Sequence, residues 1–203
     1  MINELRTERD ERVWSRVEFV EFRMLSAGNL EGVRVFIYRA GTRVPMVFEF
    51  PSVEVQAGEF AVLYLRTPLH EITDTEPTAH NFWLPGSSSW INKNSAIYVL
   101  DPHGRVLNAV MTTDDSSPSW WTGNSRGHFA EIAGVLFERG AWKSRDGGVA
   151  TAADAVNIWD IRSSTTRSVS RDETVPNTNT MADWYITANN GVSPGLPNYP
   201  GRF

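Results

Sequence analysis

The sequence has no cysteine, which removes disulfide frameworks, thiolate zinc sites and cysteine nucleophiles together. Stability must come from packing alone. No stretch approaches the roughly 20 apolar residues that carry a helix across a bilayer. Met1 runs straight into Ile2-Asn3-Glu4-Leu5, which reads as a short strand and not as a secretory leader. Long runs of one charge are missing too. The 19 basic and 24 acidic residues leave a formal charge of -5, and the densest stretch, Arg6 to Arg12, alternates sign as a solvated loop does. That distribution disfavours non-specific nucleic-acid binding. Two origins fit a chain of this kind: a cytoplasmic protein, or one that begins just after an export signal or lipid anchor. The second is expected here, which implies a cell-envelope or extracellular location.

What the chain does have is apolar content. With 203 residues, 41% hydrophobic and 11% aromatic, it can bury a core of ordinary size, and an ordered domain is expected. The first half alternates with period two between turn residues. Val17 to Leu25 puts Val20, Phe22 and Met24 on one face, with Glu21 and Arg23 opposite. Val33 to Tyr38, Val44 to Phe50 and Phe60 to Leu65 are also strand-length, and Pro45 marks the middle one of these as an edge strand. Residues 66 to 94 hold Pro68, Pro77, Pro85 and Gly86 and read as a long surface loop. Ala96 to Leu100 and Arg105 to Met111 flank Asp101-Pro102-His103-Gly104, the clearest hairpin in the chain.

Between residues 113 and 162 the period changes. Phe129, Ile132, Ala133 and Leu136 fall at helical spacing ahead of Gly140, which predicts a helix over about 127 to 139 closed by a glycine. Thr151 and Asp154 have capping-box spacing ahead of Ala155, Val156 and Trp159 and suggest a second short helix. Strand patterns return at Thr165 to Arg171 and Asp183 to Ala188. Ser193-Pro194-Gly195-Leu196-Pro197-Asn198 cannot join a sheet interior.

In order, these pieces resemble the lamin tail domain, an immunoglobulin-like β-sandwich. Ile2-Asn3-Glu4-Leu5 is similar to the family's opening strand and Phe19-Val20-Glu21-Phe22 to its second. Leu30-Glu31-Gly32-Val33 and Val55-Gln56-Ala57-Gly58-Glu59-Phe60 resemble its turns. Trp90-Ile91-Asn92, Ile97 to Asp101 and Gly104 to Asn108 resemble its central hairpin, with Asn108 where an aspartate is usual. Thr166 to Arg171, Asp183-Trp184 and Ser193 to Asn198 resemble its close. The resemblance implies one domain over residues 1–203, mainly β, with an immunoglobulin-like sandwich core from 1–112 and 163–198 and a partly helical segment inserted at 113–162. It further implies a non-catalytic binding or structural attachment module of an exported or envelope-associated bacterial protein, with an unknown protein or cell-surface polymer as partner.

Candidate chemistry is sparse. His70, His80, His103 and His128 share no ligand spacing, so no metal or cofactor is expected. Gly123-Asn124-Ser125-Arg126-Gly127 spells Gly-x-Ser-x-Gly, but turn residues precede it where a nucleophile elbow needs a buried strand, and no histidine follows His128. Asp114-Asp115 and the pair Asp146 and Asp154 are the acids a hydrolase or calcium site in the insertion would use; neither has EF-hand spacing. No catalytic residue is therefore assigned.

Eight tryptophans are the compositional excess. Trp14, Trp159 and Trp184 fall in strand or helix contexts and read as core. Trp83, Trp90, Trp120, Trp121 and Trp142 lie in or beside loops, where a ring can stack on a sugar or anchor a partner. They are the candidate binding residues, and a carbohydrate-binding module is the alternative function they support. Their other role would be to pin the inserted segment onto the sandwich.

Overall fold

The computed structural model describes residues 1–7, 18–39, 42–65, 77–84, 91, 94–113, 127–158 and 167–198. Among these residues the strands run in chain order β1 (Ile2–Arg6), β2 (Phe19–Arg23), β3 (Gly28–Asn29), β4 (Arg34–Arg39), β5 (Met46–Glu49), β6 (Glu54–Val55) and β7 (Phe60–Tyr64). They continue with β8 (Ala79–Trp83), β9 (Ser95–Leu100), β10 (Val106–Thr113), the helix α1 (Gly127–Glu138), β11 (Val156–Asn157), β12 (Val169–Arg171) and β13 (Trp184–Ile186). The fold is mainly β, a sandwich with an inserted helical segment.

One sheet has the order β13-β12-β1-β2-β7-β8 and the other β11-β10-β9-β4-β5, with β3 and β6 forming a small separate ladder. All neighbours are antiparallel except β7 with β8 and β10 with β11. Both ends of the chain meet in the larger sheet, since β1 pairs with β12.

Alternation decides which side chains face inward. Val20 and Phe22 on β2, Ala61 and Leu63 on β7, Val35 and Ile37 on β4, and Ile97 and Val99 on β9 join one buried cluster between the sheets. Phe22, Phe48, Phe50 and Phe82 interlock there edge to face, with Phe50 to Phe82 at 4.9 Å. Asn108 ties the two sheets together: its Oδ1 accepts the Ile2 N–H at 3.0 Å. An aspartate there would serve the same acceptor role, so the departure from the resembling family keeps the contact.

Helix α1 ends as its sequence predicts. Gly140 takes φ of 66°, the Gly140 N–H reaches the Phe137 carbonyl and the Ala141 N–H reaches that of Leu136, the paired bonds of a left-handed glycine cap. Phe129, Ile132, Ala133 and Leu136 are buried in the main cluster. The helix lies over the outer face of the five-stranded sheet: His128 meets Tyr38 at 4.9 Å, and the Arg139 guanidinium donates to the Gly104 carbonyl at 3.1 Å.

Two sequence expectations change. Within 66 to 94, read as loop, Ala79–Trp83 forms edge strand β8; the flanking prolines masked a five-residue strand whose ladder partner is 60–64. After Thr151, only one 3-10 turn forms, Ala152–Asp154, because the chain leaves immediately to pair as β11 with β10. The Asp154 carboxylate does accept both the N–H and the hydroxyl of Thr151 at 2.9 Å.

Candidate functional site

Two faces of the sandwich carry the polar and aromatic chemistry of the described residues. The first is the outer face of the six-stranded sheet. Register sets Tyr185, Ser170, Glu4 and Glu21 in one row across β13, β12, β1 and β2. Alternation correctly puts Glu21 opposite Phe22, yet that side is not wet. Glu4 and Glu21 are both 0% exposed, because the segment 188–198 lies across them.

This segment supplies donors where a carboxylate needs them. The Ser193 N–H approaches both Glu4 oxygens, at 3.1 and 3.3 Å, and the Ser168 hydroxyl donates to Glu4 from below. Glu21 accepts from Asn3 Nδ2 at 2.8 Å and from the Gly195 N–H at 2.5 Å. Ser193-Pro194-Gly195-Leu196 is a turn in which the Leu196 N–H returns to the Ser193 carbonyl. Gly195 sits at φ 73°, a conformation that strains any residue with a Cβ. Asn198 finishes the closure, its Nδ2 donating to the Asn3 carbonyl at 2.8 Å and to that of Arg171 at 3.3 Å.

Burial governs the protonation of this pair. Desolvation pushes Glu4 up to about 7, against hydrogen bonds from Ser168 and Ser193 that pull it down. Desolvation, and then the neighbouring Glu4 charge, push Glu21 up to about 8. Two carboxyls on partnered ladder positions that feel each other's charge share their titration.

Beside them on the same face, Phe19, Val62 and Tyr64 form a second small cluster, with Ala79, Trp83 and Val192 packed against it. Trp83 stacks on Tyr64 at 5.9 Å and 19°. Its face is therefore partly spent within the protein, although the residue is only half-buried. On the same edge His80 Nε2 meets Glu59 Oε2 at 3.0 Å.

The second face is the half of the five-stranded sheet that α1 leaves open. Phe36 and Tyr98 stack across β4 and β9 at 5.0 Å and 4°, and Tyr38 joins at 6.1 Å. The spacing is close to that between strands, and the Tyr98 hydroxyl is partly buried and hydrogen-bonded with Tyr38. Arg34 lies 5.9 Å over Phe36, and Val47 beside them on β5 is 42% exposed. The loop-centred reading missed this row, because its members come from strands paired only in three dimensions.

Of the tryptophans singled out from the sequence, Trp142 requires correction. It is 0% exposed and among the largest fully buried side chains, so no partner can reach its ring. It pins the inserted segment to the core instead. Trp83 is on a strand, not in a loop. Trp90, Trp120 and Trp121 lie outside the described residues, as do Trp14, Trp159, His70, Ser125, Asp114 and Asp115. Asp154 is engaged by Thr151, Asp146 is exposed in a turn, and the described residues bring no group of three His, Cys, Asp or Glu together for a metal. His103 is a turn residue whose N–H donates to Asp101 Oδ1 at 2.9 Å. No helix among the described residues is long and apolar enough to cross a membrane.

A family model described as "protein second domain" matches residues 1–186. No curated protein matches the chain.

Proposed function

The chain belongs to the family described as "protein second domain", and we propose that it is a non-catalytic binding or attachment module. One observation carries this reading. The two carboxyls that face each other, the arrangement a hydrolase would need, are enclosed by the chain's own C-terminal segment and accept its backbone N–H groups. They act as structural acceptors.

The same site supports a lamin-tail-like identity. Ile2 to Leu5, Phe19 to Phe22 and Ser193 to Asn198, three of the stretches that carry the resemblance, converge through Glu4, Glu21, Ser193, Gly195 and Asn198. An exported or envelope-associated setting, with a protein or cell-surface polymer as partner, is part of this proposal. The binding surface we assign is the row Arg34, Phe36 and Tyr98, with Val47 beside it. Rings already stacked on each other favour edge contacts over flat stacking on a sugar.

Co-sedimentation with purified bacterial envelope fragments tests it. Phe36→Ser combined with Arg34→Ala should weaken binding by about tenfold or more, as loss of an interface anchor does, while folding stays intact. Unchanged binding by that variant, or turnover by the wild type in a metal-supplemented hydrolase panel, would overturn the proposal.

A further inference from the structure

We propose that the segment 188–198 is a pH-dependent strap, closed while the Glu4 and Glu21 pair retains protons and released as both carboxyls ionise. Closure rests on few anchors. Between Ile186, where β13 ends, and residue 198 the described chain has no helix or strand. It is held by Ser193, Gly195 and Asn198 on the acidic pair and its neighbours. Thr78 donates to the Gly195 carbonyl at 3.0 Å, and Arg167 Nε donates to Asn189 Oδ1 at 3.1 Å. Its apolar contribution is small: Val192 packs on the Phe19, Val62 and Tyr64 cluster, whereas Leu196 is 52% exposed.

The strap carries no charge. Residues 188–198 read Ala-Asn-Asn-Gly-Val-Ser-Pro-Gly-Leu-Pro-Asn, so closing it over ionised carboxylates strips water from two like charges and returns only neutral donors. Other elements do not balance the pair. On β1 the surrounding charges are Arg6, which has interactions of its own, and the Met1 amino group, which donates to the Arg23 carbonyl at 2.9 Å. On β2 the Arg23 guanidinium is taken by Glu173. Arg167 precedes β12, the buried Arg171 is its last residue, Asp172 and Glu173 follow it, and Tyr185 faces in from β13. Glu59 and His80 pair with each other at the far edge, beside β7 and on β8. Among the described residues no guanidinium or ammonium lies within 4 Å of Glu4 or Glu21.

Desolvation raises both carboxyls well above an exposed glutamate. The sign follows: the closed state holds protons that the open state has released, so the closing equilibrium weakens by about tenfold per pH unit for each proton retained. Opening would uncover Phe19, Val62, Tyr64 and Trp83.

Hydrogen exchange of the full chain, corrected for intrinsic rates, tests this between about pH 5.5 and about pH 8.5. Peptides covering 188–198 should lose at least about tenfold in protection across that range, from a starting level well below that of α1, which exchanges through unfolding of the whole domain. Glu4→Gln with Glu21→Gln should abolish the dependence and leave the strap closed throughout. Should that double variant not fold, Glu21→Gln alone should reduce the slope. Strap protection that ignores pH, that equals the protection of α1 at every pH, or that keeps its wild-type slope in the glutamine variants overturns the proposal.

Discussion

Replacing Trp142 with alanine is expected to cost about 3–5 kcal/mol, the usual loss for emptying a fully buried tryptophan site. Against a total of about 5–15 kcal/mol for a domain, that removes much of the margin. The cost is high because of where the ring is fixed. The chain leaves α1 through the Gly140 cap and is stitched to the 177–180 turn, with the Lys143 N–H on the Asn179 carbonyl at 2.9 Å and Asn179 Nδ2 on the Gly140 carbonyl at 2.7 Å. With both flanks held, the void cannot collapse. Trp142→Phe should cost less, since it retains most of the volume and removes an indole N–H without a hydrogen-bond partner among the described residues. Urea unfolding followed by circular dichroism measures both. An alanine variant within about 1 kcal/mol of wild type would mean that the ring does not fill the core.

The second large effect is a fall in stability of the whole domain with rising pH. Glu4 and Glu21 are raised from 4.5 to about 7 and about 8, so the folded state keeps protons that the unfolded chain gives up. Their contribution is complete below the unfolded value and is lost as pH climbs through the folded values, with a slope of about 1.4 kcal/mol per pH unit per proton. The Met1 amino group is lowered from 8.0 to about 6, by burial and then by Arg171, and works in the opposite sense between those values. Two carboxyls outweigh one amine, and between about pH 4.5 and about pH 6 they act unopposed. Glu21→Gln reverses sign across the range. At low pH it perturbs a satisfied carboxyl and is neutral or mildly destabilising; above about pH 8 it removes a buried charge and stabilises. Urea midpoints at three pH values decide it, and a wild-type stability that is flat or rises from acid to neutral would refute the linkage.

The elements legible from sequence are those whose signal is local. Val20, Phe22 and Met24 alternate into the core, the Asp101 to Gly104 turn closes β9 onto β10, and the 3.6-residue period of Phe129 to Leu136 with Gly140 fixes α1. Features that depend on a distant partner were not legible. Alternation gives the face of Glu21 but assumes that a face opposite the core is wet, and segment 188–198 breaks that assumption. β8 sits amid prolines, and only its ladder with β7 makes it a strand. Trp142 follows a glycine turn and reads as loop until the 177–180 turn is folded against it. The Phe36 and Tyr98 row needs the β4 to β9 register.

Carbon-detected titration of the glutamate carboxyls in the folded protein reaches the central claim, that the two ends of the chain close over a buried acid pair. Two resonances, assigned through Glu4→Gln and Glu21→Gln, should shift near about 7 and about 8, apart from the exposed glutamates. If both instead titrate with the exposed group near 4.5, water reaches them, the closure is absent, and the account fails.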